Sequence, residues 1–155
     1  ETQHVFENLG NGEFREVAKS GAWIDGIAIG DMNNDGLLDV CVGMKEQLVV
    51  YLNQTGEPGI FCDLLPRMDP PNRFAAGALV EAFRAGELGK PGSVPLLSEK
   101  AHADGTPVHL GLGTASRFDL RVTFPGKVPK VVTREGVEAK KRLQITPEGV
   151  AEASR

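Results

Sequence analysis

The stretch Asp31-Met-Asn-Asn-Asp-Gly-Leu-Leu-Asp39 constrains this chain more than any other. Asp31, Asn33, Asp35 and Asp39 place an oxygen-bearing side chain at every second residue, with one longer step at the end. Gly36 stands where such a loop must bend sharply, and Leu37 would offer its main-chain carbonyl. Hard cations are held in this way: calcium takes about six to eight oxygens from carboxylates, amides, backbone carbonyls and water. Carboxylates crowded this closely repel one another unless a cation sits among them. The competing reading is an Asn/Asp/Gly-rich hairpin turn whose carboxylates are simply solvated.

The first half of the pattern matches an EF-hand loop. The second half does not, because the position that should hold a bidentate glutamate is Val42. The flanks are also wrong for helices. Ile27-Ala-Ile-Gly30 and Val40-Cys-Val-Gly43 are short β-branched runs that read as buried strands. The loop is therefore expected to join two strands, with Asp39 closing the site early.

The rest of the first half is turn-dense. Asn11-Gly12 is a two-residue hairpin signal, flanked by strands over 5–8 and 13–17. Further strands are expected over 26–30, 39–43 and 48–53, giving an antiparallel meander of five strands. Phe6-Glu-Asn8-Leu-Gly10-Asn-Gly12-Glu-Phe14, the run 26–43 and Val50-Tyr-Leu-Asn53 together resemble an FG-GAP/VCBS-type repeat, covering about a third of the chain. Such repeats form β-propeller blades whose Asp-rich loop holds calcium. The resemblance implies the ligands Asp31, Asn33, Asp35, Leu37 through its carbonyl, and Asp39. A propeller needs about four to eight blades, and this chain encodes roughly one. Three readings stay open: the end of a longer chain, a lone blade packed on the C-terminal domain, or copies and partner chains completing a larger assembly.

Residues 55–71, rich in Gly and Pro, read as a linker. Within it, Ile60-Phe-Cys-Asp-Leu-Leu65 is expected as a strand joining the halves. Asn53-Gln-Thr55 matches a glycosylation sequon, a triplet common by chance. Beyond the linker, strands are expected over 78–83 (where a short helix also fits), 94–97, 108–113, 118–124, 130–133 and 142–146. Phe118-Asp-Leu-Arg-Val-Thr-Phe124 alternates apolar and polar residues, as a strand with one buried face should. The charged segment 134–141 reads as a solvated connection and 149–155 as a frayed tail.

Asn72-Arg73, Gly77-Ala-Leu-Val80, Val108-His-Leu-Gly-Leu-Gly113, Asp119-Leu-Arg-Val122, Phe124-Pro125-Gly126 and Lys141-Arg-Leu-Gln-Ile145 resemble the ASPIC/UnbV domain. That domain follows FG-GAP/VCBS repeats in cartilage acidic protein-like chains, and the likeness spans 72–148. The family usually has Trp-Pro where this chain has Phe124-Pro125, and its aromatic and Ser-Gln element is reduced here to Ser98-Glu99. The resemblance names a domain and not a reaction.

Composition bears on partners and compartment. A net charge of −4 argues against a general nucleic-acid or anionic-membrane binder. No apolar run approaches the roughly 20 residues of a membrane span. Cys41 and Cys62 are not spaced as a metal pair; a disulfide between them and two buried thiols are both open. The chain starts at Glu1 without Met, as a processed chain or a fragment would. A calcium loop of about millimolar affinity suits a secreted or periplasmic setting.

Enzymatic readings are weak. His102, His109, Asp104, Asp119, Ser98 and Ser116 are the polar candidates of the second half, without a nucleophile elbow or a metal-binding His spacing. His4, near the terminus, is expected to be solvated, and Trp23, Tyr51 and the phenylalanines to serve the core. Gly86-Glu-Leu-Gly-Lys-Pro91 ends in Pro where a phosphate loop needs Ser or Thr. Gly111-Leu-Gly-Thr-Ala-Ser116 lacks the third glycine of a dinucleotide fingerprint. The expectation is therefore all-β and extracytoplasmic: a propeller-blade-like meander packed on a C-terminal β-sandwich or barrel-like domain. It would bind Ca2+ and a protein or glycan partner without intrinsic catalysis. The alternative is an accessory subunit or C-terminal domain of a larger enzyme complex.

Overall fold

The computed structural model describes residues 3–21, 24–56, 59–139 and 142–152. The described residues form strands and turns, with no helix. None of them therefore supplies a helix long and apolar enough to cross a membrane. The chain divides into two compact units, Glu1–Gly56 and Glu57–Arg155.

The first unit holds two sheets. Strands β1 (Gln3–Gly10) and β2 (Glu13–Ser20) form a hairpin closed by Asn11 and Gly12, both at positive φ (55° and 82°), as a primed turn requires. Strands β3 (Gly26–Gly30), β4 (Asp39–Met44) and β5 (Gln47–Tyr51) form a separate antiparallel sheet. The expected five-stranded meander is thus split in two. The stretch that would bridge β2 and β3 contains Trp23, which lies outside the described residues.

The three-stranded sheet is apolar on both faces. Its register sets Ile27, Val42 and Val49 side by side, then Ile29, Val40 and Tyr51. Ala28, Cys41 and Val50 fall on the opposite face, since alternate residues of a strand point opposite ways. Of these only Val42 is buried, whereas Ile27 and Ile29 are 62% and 65% exposed. Tyr51, Phe6 and Phe14 are also exposed, contrary to the expectation that the aromatics serve a core. A sheet buries a face only against a second layer, and the hairpin is too small to be one.

The second unit has a true core between two four-stranded sheets. One sheet runs β11 (Lys130–Glu138), β10 (Arg117–Phe124), β7 (Leu79–Arg84), β8 (Leu97–Lys100). The other runs β13 (Gly149–Glu152), β12 (Arg142–Thr146), β6 (Ile60–Pro66), β9 (Val108–Gly113). Phe118, Leu120, Val122 and Phe124 of β10 meet Leu64, Leu110 and Ile145 of the facing sheet in one buried cluster. Each such side chain contributes roughly 1.5–3 kcal/mol by leaving water. The arrangement is sandwich-like, and the described residues form no closed barrel.

Two expectations change here. The run 60–65 is not a joining strand: β6 is an interior strand of the second sandwich sheet, between β9 and a parallel β12. The tail is not wholly frayed either. Residues 149–152 pair antiparallel with β12, and Val150 packs against the core. The charged segment 134–141 continues β11 as far as Glu138, while Lys140 and Lys141 lie outside the described residues.

The outer face of the first sandwich sheet carries an ion pair. Glu81 is buried and accepts a forked pair of hydrogen bonds from Arg121 Nε and Nη2, at 2.7 and 2.8 Å. Arg121 also lies over the Phe83 ring, 4.9 Å from its centre. The bond to Glu81 raises the Arg121 pKa against the opposing effect of burial. The guanidinium thus roofs an apolar ring while satisfying a carboxylate.

Candidate metal centre

The loop 31–38 leaves β3 and re-enters the sheet at Asp39, whose partner across the ladder is Gly30. Both ends are therefore pinned by β pairing, and the loop must turn within a short span. Asn34 (φ 61°) and Gly36 (φ 90°) take the left-handed conformation that this requires. Gly36 is enclosed, so the sharp bend read from the sequence lies inside the loop.

The turn's amides gather the side-chain oxygens. The Asp35 amide donates to Asp31 Oδ1 and to Asn33 Oδ1, each at 3.1 Å. The Gly36 amide donates to Asp31 Oδ2 at 3.0 Å, and the Leu37 amide to Asp35 Oδ1 at 2.8 Å. Asn33 Nδ2 donates to Asp35 Oδ2 at 2.7 Å. Asp31, Asn33 and Asp35 thus converge on one turn, with their oxygens hard and each keeping a further lone pair.

Asp39 is placed differently. It is fully enclosed; its Oδ2 accepts from the Met32 amide at 2.9 Å and its Oδ1 from the Asn53 amide at 2.8 Å. The Asn53 amide, then that of Met32, hold its carboxyl below the usual carboxylate range against the opposing effect of enclosure, with a smaller contribution from Asn33. Asp39 is therefore an anion at neutral pH, wedged beneath the loop.

Calcium sites in general do not rest on carboxylates alone. Among the described residues, no three His, Cys, Asp or Glu side chains form a group that could hold a metal. The turn brings the Asp31, Asn33 and Asp35 oxygens together, while the Asp39 carboxylate is engaged by Met32 and Asn53; the Leu37 carbonyl would complete a mixed donor set. Mixed carboxylate, amide and carbonyl oxygens are the donors calcium takes, so the residues present suit that ion.

The other candidates are dispersed. His102 is exposed, and Asp104 beside it is bound to the Thr106 amide and hydroxyl, which lower its pKa. Ser98 and Ser116 are exposed. Asp119 is fully buried on β10, where it accepts from the amides of Gly86 (2.7 Å), Leu88 (3.3 Å) and Gly136 (2.9 Å). Burial pushes its carboxyl up, but those amides and that of Glu87 together bring it below the ordinary value. His4 is not merely solvated: its Nδ1 lies 2.6 Å from Glu16 and its ring stacks on Phe6. Cys41 is half-buried and Cys62 buried, both as thiols and not as a disulfide.

His109 is hydrogen-bonded within its sheet. His109 Nδ1 lies 2.9 Å from Asp63 Oδ1, the imidazole stacks on Phe61, and Arg142 approaches the other Asp63 oxygen at 3.5 Å. The signal for Asp63 was available, since it is the one charge inside the apolar run 60–65. Asp63 and His109 are register partners on β6 and β9, so the pair ties these two strands together.

Comparison with protein-family models, with curated proteins and with solved structures returns no match.

Proposed function

We propose that this chain is a calcium-binding structural or adhesion-type interaction protein working outside the cytoplasm, with Asp31, Asn33, Asp35, Leu37 and Asp39 as the loop that takes the ion. The observation that carries this reading is the convergence of Asp31, Asn33 and Asp35 oxygens on the amides of a single tight turn. The resemblance of 26–43 to an FG-GAP/VCBS repeat, and of 72–148 to an ASPIC/UnbV domain, points the same way. The ion's role is to neutralise crowded carboxylates and fix the β3–β4 connection, leaving the surface to recognise a protein or glycan partner.

An ion that binds only the folded form adds RT ln(1 + [L]/Kd), about 2.7 kcal/mol at a hundredfold excess over Kd. Thermal unfolding of the first unit should therefore move to higher temperature with calcium and fall back with chelator. A melting temperature indifferent to both, at millimolar calcium, would count against the reading.

A second reading is favoured by the doubly apolar sheet β3–β5. Such a surface suits an accessory chain or C-terminal domain of a larger complex, enzymatic or not. Sedimentation of material from its native source should then give a species larger than one chain; a monodisperse monomer would remove this alternative.

A further inference from the structure

The enclosed carboxylate of Asp39 joins two distant stretches of the first unit. Its Oδ2 accepts from Met32, next to the first loop ligand, and its Oδ1 accepts from Asn53, beyond β5. Asn53 reaches back: its Nδ2 donates to the Leu38 carbonyl at 3.2 Å. Its Oδ1 accepts from the Thr55 amide at 3.0 Å and the Thr55 hydroxyl at 2.6 Å. One carboxylate and one amide side chain therefore bind the closing end of the loop to the segment 53–56, at the end of the first unit.

We infer that Asp39 and Asn53 form a latch through which a cation held by the loop orders the exit segment 53–56. The inference rests on the calcium reading proposed above. The latch needs the Leu38 carbonyl and the Asp39 carboxylate to be fixed with respect to Asn53. Without a cation, repulsion among Asp31, Asp35 and Asp39 works to open the loop and draws both acceptors away. With a cation the loop closes and both acceptors are set. Coupling of this kind is reciprocal, so a fastened exit segment must also tighten the hold on the ion. Asn53 is thus a positioning residue, acting on the ion through Leu38 and Asp39. The same contacts give the Asn53-Gln-Thr55 triplet a structural use, with Nδ2 already engaged.

Amide hydrogen exchange on the full chain, with calcium chloride or with chelator, tests this. The Gly36 and Leu37 amides report the loop, and those of Asn53 and Gly56 report the exit segment. In the unaltered chain, calcium should slow exchange in both sets. Asn53→Ala leaves every proposed ligand in place. In that variant the residue-53 amide can still donate to Asp39, so calcium should slow it and the loop set but no longer Gly56, and calcium affinity should fall by about fivefold or more. Asn53→Asp, which keeps an oxygen for Thr55 but cannot donate to Leu38, should fall between the two. Exchange at Val40 and Val42, in the central strand β4 of the first unit, unchanged between the calcium-free variants and the calcium-free unaltered chain serves as the control for folding. Slowing confined to the loop in the unaltered chain would overturn the latch and leave the calcium reading standing. Equal transmission in Asn53→Ala would also overturn it. No slowing anywhere would overturn the calcium reading and the latch together.

Discussion

Asp119→Ala is expected to lower the stability of the second unit by about 3–5 kcal/mol, a large share of the roughly 5–15 kcal/mol that holds a domain together. The carboxylate is fully buried and accepts three main-chain hydrogen bonds, from Gly86 and Leu88 after β7 and from Gly136 in β11. Hydrogen bonds to a charged group are worth about 1.5–3 kcal/mol each. The amides at the exposed Gly86 and Gly136 can recover water once the carboxylate is gone, which keeps the loss below the full sum. Asp119→Asn should rescue little, because an amide offers one oxygen and sets a donor against a donor. The urea midpoint measures both variants.

The same residue predicts an acid limit. Its folded pKa lies below the ordinary value, so the folded state favours the ionised form. That contribution is present at pH above the unfolded value of about 3.9 and is lost as pH falls through the folded value. Asp39 follows the same sign in the first unit. Both units should therefore lose stability below about pH 4, and Asp119→Ala should flatten this dependence in the second. An unchanged urea midpoint in Asp119→Ala would show that the amides have partners other than the carboxylate.

Asp35→Ala is expected to weaken calcium binding by about a hundredfold or more, since loss even of groups that only orient metal ligands costs about 10–100-fold. Asp35 is exposed, and its side chain touches only the loop, accepting from Leu37 and Asn33. Its removal therefore leaves β3–β5 intact. It also relieves repulsion with Asp31, so the calcium-free chain should melt no lower than the unaltered one. A loss of affinity without a loss of calcium-free stability separates a ligand from a scaffold residue. Asp39→Ala should lose both affinity and calcium-free stability, because its carboxylate is a proposed ligand and also accepts from the Met32 and Asn53 amides.

The sequence revealed what is local. The alternation in 118–124 names the residues that turn inward on β10, and all four of its apolar residues are fully buried. The spacing 31–35 names three side chains that meet on one turn, because i, i+2 and i+4 oxygens in a tight turn meet whatever surrounds them; Asp39 is turned instead to Met32 and Asn53. Gly36 marks the bend for the same steric reason. The features that stayed hidden depend on distant partners. Strand β6 sits in a Gly- and Pro-rich stretch that reads as a linker, and its parallel pairing with β12 spans most of the second unit. Asp119 sits at an outward position of an alternating strand. Only the folding of 85–88 and 134–136 over it makes it a buried anchor. Asp39 and Asn53 are brought together by the β4–β5 hairpin, a neighbourhood that spacing alone does not mark.

A calorimetric titration of calcium into the unaltered chain and into Asp35→Ala goes most directly to the central claim. One saturable site per chain, with affinity in the range of about 10⁻⁴–10⁻³ M or tighter and lost in the variant, is the predicted result. No binding heat in the unaltered chain at millimolar calcium, or equal binding by both chains, would contradict it.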